Sequence, residues 1–250
     1  MTIYRLIALL GAGLGGGLAG TVASVASVVS YPALLALGLP PLAANVTNTV
    51  SMIFSVPGSF LAARTELSGQ RHRIVAISAI MAAGGAVGAA VLLLAPPGAF
   101  DLVVPVLVGA AAVLIVLQPR LAALSPRPGA EQSWRRLATL FCVAVYIGYF
   151  GAAGGVVLFA LLAATLSESL IRINAIKNVV AGAANLVAAS IFACYAPVEW
   201  AFVPPLAAGF LIGGYAGQHL ARHLPVGILR IAVALAGLAL AVKLGLAAYR

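Results

Sequence analysis

The sequence predicts an all-α polytopic membrane protein made of two homologous repeats, inverted relative to each other. Each repeat has a glycine-broken, re-entrant first segment followed by three transmembrane helices. Three observations carry this prediction. The 250 residues are 63% hydrophobic and only 8% charged, whereas about a quarter of an ordinary soluble domain is charged. A shift of 129 positions superimposes the polar and glycine landmarks of the two halves. The basic residues gather in short segments between apolar runs, as in the loops of membrane proteins.

Apolar stretches run over 3–38, 43–63, 74–95, 99–118, 137–166, 174–196, 200–221 and 226–249. A spanning helix needs about 20 such residues. The stretch 3–38 is too long for a secretory signal and lacks a small-residue cleavage site after a short apolar core, so it is expected to be part of the structure. None of the runs alternates polar and apolar residues, which argues for helices over barrel strands. Residues 1–118 are expected to form the first membrane repeat, 119–135 a cytoplasmic linker and 136–250 the second repeat. The linker holds Pro119, Pro126, Pro128 and Gly129 among arginines; proline stops helices and charges need water.

The duplication is read from paired positions. Asn45, Asn48 and Thr49 fall on Asn174, Lys177 and Asn178; Gly84, Gly85 and Gly88 fall on Gly213, Gly214 and Gly217; Pro96 falls on Pro225. Upstream the register differs by one, so Gly20 falls on Gly148.

Arginines set the topology. Loop 64–73 carries Arg64, Arg71 and Arg73, and the linker region carries four more arginines, so both are expected on the cytoplasmic side. Turns near 39–42, 96–101 and 195–200 lack lysine and arginine and are expected outside. If 137–166 crossed once, Arg172 and Arg222 would lie outside, against the rule. A hairpin that enters and leaves on one side removes the conflict, with about 15 residues per arm at 1.5 Å rise. Such a segment plus three crossings makes the two copies inverted. The rival is eight simple crossings with repeats the same way up.

Glycines are expected to supply the breaks: Gly11 to Gly20 in the first copy, and Gly148, Gly151, Gly154 and Gly155 in the second. Gly84, Gly88, Gly209, Gly213 and Gly217 are expected to pack helices closely instead. A helix interrupted inside the bilayer presents backbone N–H groups at its new N-terminus, which favour anions.

Polar side chains on apolar helices must face protein, water or substrate. Asn174, Lys177, Asn178 and Asn185 share one helical face, and Asn45, Asn48, Thr49 and Ser55 form the matching stripe. Lys177 offers a positive charge for an anion, or snorkels to the nearby surface. The carboxylates Glu66, Asp101, Glu131, Glu168 and Glu199 fall in loops or at helix ends, as do His72, His219 and His223. Mid-membrane proton relays normally place a carboxylate in the span. Cys142 and Cys194 have no metal-ligand spacing and are expected to be small packing residues. No phosphate loop or catalytic constellation appears, so neither cofactor, metal nor enzyme activity is expected. The net charge of +9 is scattered over loops and does not suggest nucleic acid.

With these residues in view, the chain resembles the TauE/SafE sulfite exporter family over nearly its whole length. The segment Ser30 to Thr49 (SYPALLALGLPPLAANVTNT) is similar to the family's first repeat. Gly148 to Gly155 (GYFGAAGG), Asn174 to Asn178 (NAIKN) and Ala196 to Trp200 (APVEW) are similar to its second. The resemblance implies a multi-pass protein of the bacterial inner membrane that moves small anions outward, chiefly sulfite and organosulfur compounds. It places Pro32, Asn45, Thr47, Lys177 and Asn178 in matching motifs. Where that family often has a glycine cluster, this chain reads Ala23-Ser24-Val25-Ala26-Ser27, whose serines offer hydroxyls to an anion.

The expected function is a secondary transporter or facilitator exporting a small anion, sulfite or an organosulfur or carboxylate compound. The expected substrate-binding residues are Asn45, Thr47, Asn48, Thr49, Lys177, Asn178 and Asn185. Gly20, Pro32, Gly148, Gly151, Gly154 and Gly155 are expected to shape the helix breaks. The expected partners are the anion and the lipid bilayer, with a homo-oligomer also open. An anion channel, or a membrane scaffold or subunit that transports nothing, are the rival functions.

Overall fold

The computed structural model describes residues 2–96, 98–122 and 134–221, together with 235, 238–239, 241–242 and 244–246. The described residues are helical with short connections and no strand. In order the helices are α1 (Ile3–Ala23), α2 (Ala26–Ala36), α3 (Pro41–Met52), α4 (Ser55–Ala62), α5 (Arg64–Leu67), α6 (Arg71–Leu94), α7 (Ala99–Ala122), α8 (Trp134–Tyr149), α9 (Gly154–Thr165), α10 (Leu170–Tyr195) and α11 (Val203–Leu220). Four of them are long and apolar enough to cross a bilayer: α1, α6, α7 over Ala99–Leu117, and α10. Large apolar side chains cover the outside, among them Val106 at 62% exposure and Ile212 at 56%. In water such a surface would associate; in lipid it is the required one.

Local chemistry sets the ends. Prolines open α3 and α11, where a missing N–H costs nothing. Ser169 caps α10 by accepting from the Arg172 N–H. The stretch 43–63, expected as one run, is divided at Ile53–Phe54. Pro57 explains the division. It has no N–H to offer the carbonyl of Ile53, and its ring would collide with that carbonyl in a continuous helix. The position 129 residues later is Leu186, and α10 runs through it unbroken.

The stretches 3–38 and 137–166 are each divided into two helices. The breaks fall at Ser24–Val25 and at Phe150–Ala153. Ser24 (φ 65°) and Ala153 (φ 56°), again 129 apart, are the non-glycine residues with positive φ among those described. The first break does not fall on Gly11 to Gly20, which all lie inside α1. The helix α7 continues to Ala122, so positions 119–122, expected in the linker, are helical. Pro225, Glu131, Arg222, His223, Lys243 and most of 226–249 lie outside the described residues.

Helices from opposite ends of the chain are interleaved. α1 packs along α11, and α6 packs along α8. Glycines make both seams. A Cβ on Gly17 would stand 2.8 Å from the Gly214 nitrogen, and one on Gly84 2.8 Å from the Phe141 carbonyl oxygen. Other faces of the same helices come as close: a Cβ on Gly85 would stand 2.5 Å from the Ala184 carbonyl oxygen of α10, and one on Gly214 would strike the carbonyl of Ser55 in α4. Backbones this close are a general device of membrane helices. Gly13 and Gly17 therefore serve packing against α11, while Gly20 makes room for Ala26 just across the first break. Cys142 and Cys194 lie inside α8 and α10 as expected, but their side chains are exposed on outward faces rather than packed in the core.

At one end of the molecule the segment before α6 is bonded to the turn before α10. Glu168 accepts from Gln70 Nε2 at 2.7 Å and from Arg73 and Arg172 at 3.1 Å each. Arg172 also donates to the carbonyls of Glu66 and Ser68 at 2.9 Å. Withdrawal from water would raise the Glu168 carboxyl; the hydrogen bonds from Gln70, Arg172 and Arg73 and the Arg172 charge outweigh it and hold the carboxyl below its ordinary value.

Candidate functional site

Both helix breaks leave carbonyls without their intrahelical partners. Side chains from elsewhere take them up in a reciprocal way. Asn174 Nδ2 donates to the Thr21 carbonyl at the end of α1, at 2.9 Å. Asn45 Nδ2 donates to the Tyr149 carbonyl at the end of α8, at 3.0 Å. The donors are 129 residues apart and the acceptors 128, the two registers read from the sequence.

Beside Thr21, the ammonium of Lys177 reaches the same helix end. Its Nζ donates to Ser24 Oγ at 2.6 Å and to the Gly20 carbonyl at 3.3 Å. Lys177 is 2% exposed, so it does not snorkel. A cation at a helix C-terminus meets the negative end of the helix dipole, which gives Lys177 a capping role besides any it has toward a ligand.

Lys177 also forms part of the wall of a cavity of about 80 Å³. Asn178 and Asn185 join it from α10, Ser24 and Ser27 from the first break, and Ser55 and Ser59 from α4. Drug-sized pockets start at about 300 Å³; this one suits a small ion and its water. Ser27 lies in the first turn of α2 and Gly155 in the first turn of α9, so the N-terminal turns of two short helices face the same space. At Gly151 the φ of +72° is one glycine adopts without strain. Cation, hydroxyls, amides and two helix N-termini make a place suited to an anion.

The seven residues expected to bind substrate divide in two. Lys177, Asn178 and Asn185 line the cavity. Asn45, Thr47, Asn48 and Thr49 are buried at 4% exposure or less but do not line it. Asn48 backs the wall, and Asn45 the second break. Asn48 donates to Ser27 Oγ at 3.3 Å, Thr49 to the Asn45 carbonyl at 3.0 Å, and Thr47 Oγ1 accepts the Glu199 N–H at 2.9 Å. The Asn48 Oδ1 and Asn185 Oδ1 atoms are buried with no hydrogen-bond partner among the described residues.

Of the residues expected at the breaks, Gly151 sits in one and Gly154 and Gly155 open α9. Gly148 lies in α8 against the backbone of Gly85. Gly20 lies one turn before the first break, lending its carbonyl to Lys177. Pro32 lies inside α2, which continues past it. Sequence reasoning passed over Thr21, Met52, Ser59 and Gln218. The last is wholly buried in α11 and accepts from Asn178 Nδ2 at 3.2 Å. An amide near the end of an apolar helix was the available signal.

A family model described as Sulfite exporter TauE/SafE matches residues 7–244. Neither a curated protein nor a solved structure gives a significant match.

Proposed function

The chain belongs to the TauE/SafE sulfite exporter family, and we propose that it exports a small anion, sulfite or a compact organosulfur or carboxylate compound, through the cavity beside Lys177. Membership makes it a multi-pass membrane protein of a transporter family. The finer reading rests chiefly on one observation: a buried lysine whose partners among the described residues are neutral, Ser24 and Gly20, in the wall of a small polar cavity. An anion entering there would find the charge already desolvated, where electrostatic attraction is stronger than in water. Lys177 would supply the charge, Ser24 and Asn178 hydrogen bonds, and Asn185 a further amide. Asn45, Thr47, Asn48 and Thr49 would hold the wall and the second break in place.

In this reading the chain sits in a bacterial inner membrane as two inverted repeats, 1–118 and 136–250, joined by 119–135. The exchange of hydrogen bonds between Asn174 and Thr21 and between Asn45 and Tyr149 is what a two-fold axis between copies would produce. The bonds from Arg172 to the carbonyls of Glu66 and Ser68 favour 137–166 as a hairpin, since one full crossing would carry Arg172 to the other face. Binding near the junction of broken helices from two repeats is a common transporter design. Export of an anion down the membrane potential gains about 2.3 kcal/mol per charge per 100 mV.

The test is counterflow in proteoliposomes with sulfite, sulfoacetate, sulfate, thiosulfate and simple carboxylates. Saturable flux of at least one is expected; flux of none would favour a scaffold. Conductance far above carrier turnover would favour a channel. Cysteines placed at Glu131 and Glu168 should label from the same face, and labelling from opposite faces would end the hairpin reading.

A further inference from the structure

The hydroxyl side chains that line the Lys177 cavity are of two kinds. Thr21, Ser55 and Ser59 have committed their hydrogens to the backbone. They donate to the carbonyls of Gly17 at 2.6 Å, Met52 at 2.8 Å and Val56 at 3.1 Å. Hydroxyls on helices settle this way because the carbonyl three or four residues back is a ready acceptor. Ser24 and Ser27 depart from the pattern. Each accepts from a donor on another helix, Ser24 from Lys177 Nζ at 2.6 Å and Ser27 from Asn48 Nδ2 at 3.3 Å.

Accepting leaves each serine its own hydrogen to place. An ammonium has no lone pair to offer, so the Ser24 hydrogen points away from Lys177, and no described residue accepts it. The Ser27 hydrogen goes to the Met52 thioether, with 3.9 Å between Oγ and Sδ. Thioether sulfur is a weak acceptor. Hydrogen bonds to an ionised oxygen are about twice as strong as neutral ones, so an anion in the cavity displaces Met52 as the acceptor.

The donors behind the serines occupy matched positions, Asn48 in one copy and Lys177 in the other. Both reach the first break. The second reads Phe150-Gly151-Ala152-Ala153 and has no hydroxyl to offer. Both copies therefore act on one pair of serines.

On the reading that an anion passes through the Lys177 cavity, we propose that Ser27 donates a hydrogen bond to it alongside Ser24, with Asn48 as the positioning residue for Ser27. Asn48 touches no ligand. It occupies the Ser27 oxygen, so that the hydroxyl hydrogen is turned to the cavity.

Counterflow in proteoliposomes holding the full chain tests the assignment, with sulfite, sulfate and thiosulfate as probes. Ser27→Ala should raise the half-saturation concentration about tenfold, as expected for a hydrogen bond to a charged group, while the maximal rate holds. Asn48→Ala should raise it about three-fold when Ser27 is present. In the Ser27→Ala background Asn48→Ala should have no further effect, because residues acting as one unit are not additive. Ser30→Ala removes the next hydroxyl of α2, which donates to the Ala26 carbonyl at 3.1 Å and does not line the cavity. It should leave half-saturation at the wild-type value. Unmoved half-saturation in Ser27→Ala, or an equal shift in Ser30→Ala, would overturn the assignment of Ser27. Additive effects of Asn48→Ala and Ser27→Ala would overturn the positioning role. Absence of saturable flux of every probe in the wild type is a separate result, which ends the transport reading and this assignment together.

Discussion

Asn174 and Asn45 stand 129 residues apart and perform the same task on opposite helices: each donates its side-chain amide to the last carbonyls of a helix that breaks inside the protein. Neither acceptor belongs to the donor's own helix, so each bond ties two distant parts of the chain.

Replacing either asparagine with alanine orphans a buried carbonyl, and the loss of stability should be similar for the two. About 1–2 kcal/mol is expected for each, in line with amide bonds between membrane helices. Denaturant unfolding in detergent micelles measures it. A large loss for one variant and none for the other would show that the two bonds are not equivalent.

Lys177 and Ser24 separate capping from transport. Lys177→Met should lower anion flux about tenfold or more, the value of a hydrogen bond to a charged group, in protein that remains monodisperse. Ser24→Gly suits the φ of 65° better than serine does. It should therefore hold or gain stability while losing flux, because the hydroxyl that meets Lys177 is gone. Wild-type flux in both folded variants would remove this cavity from the transport path.

Close backbone approaches at α6–α10 and α11–α4 predict a position-dependent alanine scan. Gly85→Ala and Gly214→Ala each drive a methyl into a carbonyl of the neighbouring helix, and each should cost about 1–3 kcal/mol. Gly11 has nothing among the described residues within 4 Å of where its Cβ would be, so Gly11→Ala should be neutral or stabilising by up to about 1 kcal/mol. Thermal melts in one detergent compare them.

Glu168 sets a pH dependence. Its folded-state carboxyl lies below the ordinary value of 4.5, so ionisation favours the folded junction. That contribution is complete above 4.5 and disappears as pH falls through the depressed value. The wild type should lose melting temperature over that acid range more steeply than Glu168→Gln, whose curve should be flatter and lower at neutral pH. Parallel curves would mean the carboxylate adds nothing to the junction.

Much of this arrangement could be read from the chain, and the misses have physical causes. Asn174, Lys177 and Asn178 stood out because polar groups in lipid-length apolar runs need partners. What partner each would find was not readable: periodicity put Asn45 and Asn48 on the proper face, yet that face meets a carbonyl and a serine rather than the cavity. The first break was expected among glycines 11 to 20 because glycine is a poor helix former. Gly13, Gly16 and Gly17 instead keep α1 against α11, and the turn falls on Ser24, where the αL backbone is held by packing rather than by residue preference. Pro57 carried a plain signal for the interruption after Ile53. Ser59 and Thr21 carried little, since small hydroxyl residues are common in membrane helices.

The two glycine seams have a consequence for motion. Helices whose main chains touch cannot slide past one another without a clash at every turn, so α1 with α11 and α6 with α8 must each travel as a stiff plank. Either plank takes one member from early in the chain and one from late. In a rocking mechanism the moving pieces would therefore not be the front and back of the polypeptide, and cutting it at the midpoint would split both planks lengthwise.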